Sequence, residues 1–157
     1  SKGNSAFMIQ LTRAEIQMAE ALAKQRNDGK TQYRKEPGAN FNQHLMGLKG
    51  EIALARIFDL PIDTIKKPMG DQGVDFTYKG NTLDVKTVEH KHPKLFANEN
   101  KIRADIFILA HTKNEWVTFV GWITRQGFIK RHRFLIGKKD NPWYVTPDDL
   151  FPLTMLL

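Results

Sequence analysis

Two regimes of hydrophobic patterning divide the chain. Before residue 60, apolar positions recur with the period of about 3.6 residues that marks helices; from Gly73 they alternate or run continuously, as in strands. Thr12-Arg13-Ala14-Glu15 has the spacing of a capping box, with Ile16, Ala19, Leu22 and Ala23 following on one side and Asn27-Asp28-Gly29 as the predicted stop. The stretch Gly29–Asn42 is polar and basic and contains Pro37-Gly38, which predicts a loop. A second helix is predicted from about Gln43 to Asp59, ending before Pro61, with Gly47, Leu48, Leu54, Ala55 and Phe58 crowded on one side. Val74–Tyr78 and Thr82–Val88 flank Lys79-Gly80-Asn81 and predict a hairpin. Asp105–Ala110 and Trp116–Ile123 predict two apolar strands, the first continuous enough for a sheet centre. Tyr144–Leu150 reads as a strand and then a short helical turn. Helix, helix, hairpin, strand, strand implies an α/β (α+β) fold: a central mixed β-sheet flanked by helices, in a single domain over residues 1–157.

Composition narrows the class. The 157 residues include 24 Lys plus Arg and 17 Asp plus Glu, a net charge of +7. With 41% hydrophobic and 26% charged residues, the chain is ordinary for a globular domain and unlike a disordered one. No run approaches the roughly 18 apolar residues of a membrane span, and Ser1–Ala6 lacks the apolar core of a secretory signal. Cysteine is absent, which removes disulfides, thiolate zinc sites and thiol nucleophiles. A cytoplasmic or virus-encoded intracellular setting is expected. Basic residues gather in three runs: Lys24–Lys35, Lys86–Arg103 and Arg125–Lys139, the last without an acid. Together they favour a polyanionic partner.

One set of residues carries chemistry. Glu51 falls in the middle of the apolar side of the second predicted helix, where a carboxylate needs a cation or hydrogen bonds, or an Arg or helix terminus within reach. Alternation puts Asp84 and Lys86 on one strand face with Val85 opposite. Asp75 stands across the hairpin from Asp84 if the register follows the turn, and a helix packed on that face would bring Glu51 there. Crowded carboxylates repel, and a hard divalent cation resolves the repulsion. Carboxylate and carbonyl oxygens suit Mg²⁺, whereas Zn²⁺ would call for imidazole or thiolate.

Gly50-Glu51-Ile52-Ala53, Gly73-Val74-Asp75 and Asp84-Val85-Lys86 together resemble the signature of the PD-(D/E)XK nuclease superfamily, with Val74 where the name-giving proline would stand. The resemblance spans residues 43 to 125. It implies a restriction-endonuclease-like core and a Mg²⁺-dependent phosphodiesterase, with Mn²⁺ able to substitute. It casts Asp75 and Asp84 as metal ligands, the Val85 carbonyl as completing the set, Glu51 as a direct or water-bridged ligand, and Lys86 as the group that positions or activates the attacking water. DNA is favoured over RNA and endonuclease action over exonuclease. A homodimer is compatible, since small nucleases that cut both strands of a duplex commonly pair. The alternative is a catalytically inactive nucleic-acid-binding module of the same fold. A basic surface gripping an acidic protein is a third reading.

Candidate phosphate contacts are His44, Arg34, Lys35, His90, Lys91, Lys94, Arg125, Lys130, Arg131 and Arg133. His90-Lys91-His92 reads either as a solvated basic loop or as a minimal metal site. Phe128 and Phe134 among the basic residues are equally consistent with core and with a strand-binding surface. Trp116, Trp122 and Trp143 read as core or dimer contacts.

Overall fold

The computed structural model of the protein describes residues 7–30, 37–61, 76–138 and 141–157. A short strand β1 (Phe7–Gln10) precedes α1 (Arg13–Lys30) and α2 (Pro37–Phe58). The hairpin β2 (Phe76–Tyr78) and β3 (Asn81–Val88) follows, then β4 (Leu95–Ala97), β5 (Ile106–Lys113), β6 (Trp116–Thr124), α3 (Arg125–Arg131), β7 (Arg133–Phe134) and β8 (Trp143–Val145). The main sheet has the order β1-β6-β5-β3-β2, parallel only between β3 and β5, and a small antiparallel sheet has the order β4-β8-β7.

The expected mixed sheet with the two N-terminal helices packed against it is present. At the start of α1, the Thr12 N–H donates to Glu15 Oε1 at 2.8 Å and the Glu15 N–H to Thr12 Oγ1 at 3.1 Å, so the capping box forms. Lys79 and Gly80 both adopt positive φ (49° and 81°), the primed turn that matches strand twist in a hairpin. The continuous apolar run of β5 occupies the centre between β6 and β3, and Ile106 to Ala110 are all buried.

Other expectations are corrected. The stretch from Gly29 to Asn42 is not one loop: α1 runs on to Lys30, and α2 already begins at Pro37. Proline is well suited to a first helical position, because its missing N–H is unpaired there anyway and its φ is preset. The basic segment after β6 opens as a helix, with Thr124 capping α3 by accepting the Gly127 N–H at 3.0 Å. Phe128 lies in the core at 0% exposure, whereas Phe134 is 54% exposed.

Two apolar clusters sandwich the main sheet. On one face, Leu83, Val85, Ile106, Ile108, Ala110, Val117 and Phe119 meet the apolar sides of α1 and α2. On the other, Phe107, Leu109 and Ile123 meet Phe128 of α3 and Leu95, Ala97 and Val145 of the small sheet. Full burial of each large side chain contributes about 1.5–3 kcal/mol, so both layers hold the sheet in place. Thr82 and Asp105 lock the start of β3 to β5: Asp105 Oδ2 accepts the Thr82 N–H (2.9 Å) and hydroxyl (3.1 Å), and the Asp105 N–H donates to Thr82 Oγ1 at 2.9 Å. Those two bonds from Thr82 hold the Asp105 carboxyl below its ordinary range, against slight desolvation and with help from Arg125.

Candidate active site

Strand β3 pairs in parallel with β5 so that Asp84 lies beside Phe107 and Lys86 beside Leu109, while Leu83, Val85 and Thr87 lie beside Ile106, Ile108 and Ala110. Registered neighbours share a face. Asp84 and Lys86 therefore belong to the face covered by α3 and the small sheet, and Val85 turns its side chain to the helices, as alternation predicted. Asp84 is 3% exposed. The Lys86 ammonium stands 3.2 Å from Asp84 Oδ2, and the lysine side chain keeps 36% of its surface. A nearly buried carboxylate thus meets a cation with access to solvent. Such a pair can bind a hard cation through oxygen and hold a water or a phosphate oxygen through the ammonium.

Glu51 is also buried, at 8% exposure, but in a different layer. Its Oε2 lies 3.6 Å from Arg26 Nη1 of α1, so the carboxylate on the apolar side of α2 has an arginine partner, one of the resolutions the sequence left open. The helix on the Asp84 face is α3, whereas α2 carries Glu51. Helix α2 packs on the Val85 and Thr87 face, because its apolar side needs an apolar surface and the Asp84–Lys86 face offers charge. Contact is closest at Gly50, where an added Cβ would sit 2.0 Å from Thr87 Oγ1. Thr87 Oγ1 is buried there and has no hydrogen-bond partner among the described residues.

Asp75, Arg34 and Lys35 lie outside the described residues. Among the described residues, no group of three or more His, Asp or Glu side chains gathers closely enough to hold a metal. Two members of the expected set, Asp84 and Lys86, come together, and Glu51 stands on α2 beside Arg26.

The basic candidates divide by what they touch. His44 is half-buried on α2. His90 Nδ1 accepts the His92 N–H at 3.0 Å and the two rings stand 6.2 Å apart, a local turn. Lys91, Lys130 and Arg131 are exposed. Lys94 reaches over the Tyr144 ring, 5.7 Å from its centroid. Arg125 is tied down by the Arg103 carbonyl at 2.9 Å and by Asp105 at 3.8 Å. Arg133 binds Asp149 at 2.9 Å, which raises its pKa further and leaves its positive charge permanent. Burial pushes the Asp149 carboxyl up, but the Thr146 N–H, the Arg133 hydrogen bond and the Arg133 charge outweigh it and hold it below its ordinary value.

Of the tryptophans, Trp122 is half-buried with its Nε1–H donating to the Pro152 carbonyl at 3.0 Å, and Trp116 is 40% exposed. Trp143 stacks on His132 at 3.7 Å between centroids. The small sheet brings Phe96 and Tyr144 together; its strand β8 matches the strand predicted from Tyr144, whereas β4 and β7, of three and two residues, left no periodic signal. No family model, curated protein or solved structure matches the chain. No helix among the described residues is long and apolar enough to cross a membrane.

Proposed function

We propose that the chain is a metal-dependent nuclease with a restriction-endonuclease-like core, hydrolysing phosphodiester bonds, in DNA before RNA. The observation that carries this reading is the nearly buried Asp84 with the partly exposed Lys86 ammonium 3.2 Å away, on one strand of a mixed sheet. In this proposal Asp84, Asp75 and the Val85 carbonyl hold Mg²⁺ or Mn²⁺. The bound cation supplies Lewis-acid stabilisation of charge on the phosphate and a more acidic water. Lys86 keeps a water or phosphate oxygen in line by donating to it, and its charge opposes the negative charge that builds up at phosphorus. Glu51 enters on different terms: paired with Arg26 on the helix side, it serves the site by fixing α2, and through α2 the back of β3.

A binding module without turnover is the second reading, and the Glu51–Arg26 pair favours it by engaging one of the expected acids. The two separate in one panel. Single-stranded DNA, duplex DNA and RNA are incubated with wild type, Asp84→Asn and Lys86→Ala in Mg²⁺ and in Mn²⁺. Cleavage by the wild type that is lost in both variants, with binding retained, supports the nuclease. Binding without cleavage of any of the three substrates selects the module.

A further inference from the structure

The small sheet has a face that the core does not use. In β4 and β8, Leu95, Ala97 and Val145 are buried in the second cluster, so the alternate positions, Phe96 and Tyr144, point away from it. These two are registered directly opposite each other, with ring centroids 5.6 Å apart and planes tilted by 43°. Phe96 keeps 37% of its surface exposed. On the other side of Tyr144, Arg133 of β7 occupies the paired position, its side chain 50% exposed. Lys94 holds its ammonium 5.7 Å from the Tyr144 centroid. Two aromatic rings and two basic side chains thus share one outward sheet surface.

We propose that this surface is a stacking platform for single-stranded nucleic acid, with bases on Phe96 and Tyr144 and phosphates on Lys94 and Arg133. Choosing nucleic acid as the occupant rests on the nuclease reading; the platform itself rests on strand register, exposure and charge. Rings presented from neighbouring strands accept the flat faces of unstacked bases, which a duplex hides within its stack. The charge around the face suits a polyanion. Lys91 and Lys94 precede or border β4, and Lys130, Arg131 and Arg133 lead into β7, against Asp148 and Asp149. Asp149 is engaged by Arg133 and by the Thr146 N–H at 2.9 Å. The platform also lies on the correct side of the main sheet. Val88, two positions beyond Lys86 on the same face of β3, packs into the cluster that the small sheet covers.

Fluorescence anisotropy with the full chain in EDTA tests this. The probes are a labelled oligothymidylate and an abasic deoxyribose-phosphate strand of equal length and charge. Wild type should bind the base-bearing strand about tenfold or more tighter than the abasic one, because stacking on an aromatic side chain contributes at least that much per platform. In Phe96→Leu/Tyr144→Leu the preference should vanish, while abasic binding stays within about twofold. Equal affinity of wild type for the two strands overturns the proposal without reference to any variant, and so does an undiminished preference in the double variant. A loss confined to self-association, read by sedimentation, assigns the face to a second copy and likewise overturns it. Cleavage in Mg²⁺ keeps the two proposals apart. A base preference with no cleavage retains the platform and removes the nuclease, and cleavage with no base preference does the reverse.

Discussion

Two buried carboxylates, Glu51 and Asp84, each have a basic partner, yet they lie in different layers of the molecule. Glu51 stands between two helices with Arg26 at 3.6 Å, and both side chains are mostly covered, at 11% and 21% exposure. Asp84 stands on a strand with Lys86 at 3.2 Å, and here only the acid is covered. A pair whose two members are both mostly covered fixes position more than it offers charge to solvent. A pair whose cation reaches solvent can take up a phosphate or a metal-bound water. The difference in exposure of the basic member, rather than the burial of the acid, separates a structural pair from a candidate catalytic one.

Substitutions that act on one pair and spare the other sharpen the comparison. The largest effect is expected at the open pair. Asp84→Asn should lower Mg²⁺-dependent cleavage by about 10³-fold and Lys86→Ala by about 10²-fold, in the range of single catalytic groups. Single-turnover rates on a labelled DNA, beside circular dichroism spectra showing that both variants fold, check this.

Next comes the seam between the two layers. Gly50→Ala drives a methyl group into Thr87 and should cost about 2–3 kcal/mol of stability in urea unfolding. Thr87→Ala should recover part of that loss, because it removes the Oγ1 that lies 2.0 Å from the added Cβ. No recovery would mean that the two elements meet elsewhere.

A smaller effect is expected at the closed pair. A double-mutant cycle of Glu51→Gln and Arg26→Gln should give a coupling of about 1 kcal/mol in stability. Cleavage by Glu51→Gln should stay within about tenfold of wild type. A collapse of activity comparable to that of Asp84→Asn, with stability retained, would return Glu51 to the site.

The smallest effect is a pH dependence. Asp149 has a folded pKa below its unfolded one, so its bonds to Arg133 and Thr146 stabilise the fold fully above about pH 4. That contribution disappears as pH falls through the lower, folded value. Thermal melts should therefore show Asp149→Asn less stable than wild type at pH 6, with the gap closing towards pH 2. A gap that persisted at pH 2 would point to packing instead of charge.

How much of this was legible in the residues depended on the length of each pattern. The capping box at Thr12, the Lys79-Gly80 turn, the central apolar strand and the shared face of Asp84 and Lys86 were all legible, because each rests on local geometry. Of the small sheet, β8 and the turn after it were legible from Tyr144 onward, but β4 and β7 were not, since two or three residues cannot display a period. The start of α2 was misread because Pro37 and Gly38 were weighed as breakers, though proline at a first helical position is a start signal. The side taken by α2 was legible in β3 itself: Leu83 and Val85 mark an apolar face that suits the apolar side of α2. The two aromatics of the small sheet became visible only when register placed Phe96 opposite Tyr144.

Everything in the functional reading depends on Asp84 as a metal ligand beside Lys86. Titration of Mn²⁺ into the nucleic-acid-free protein, followed by electron paramagnetic resonance of the free ion, measures that directly. Wild type should take up Mn²⁺ at a saturable site, Asp84→Asn should bind at least about tenfold more weakly, and Glu51→Gln should bind as wild type does. Equal Mn²⁺ uptake by wild type and Asp84→Asn would contradict the assignment.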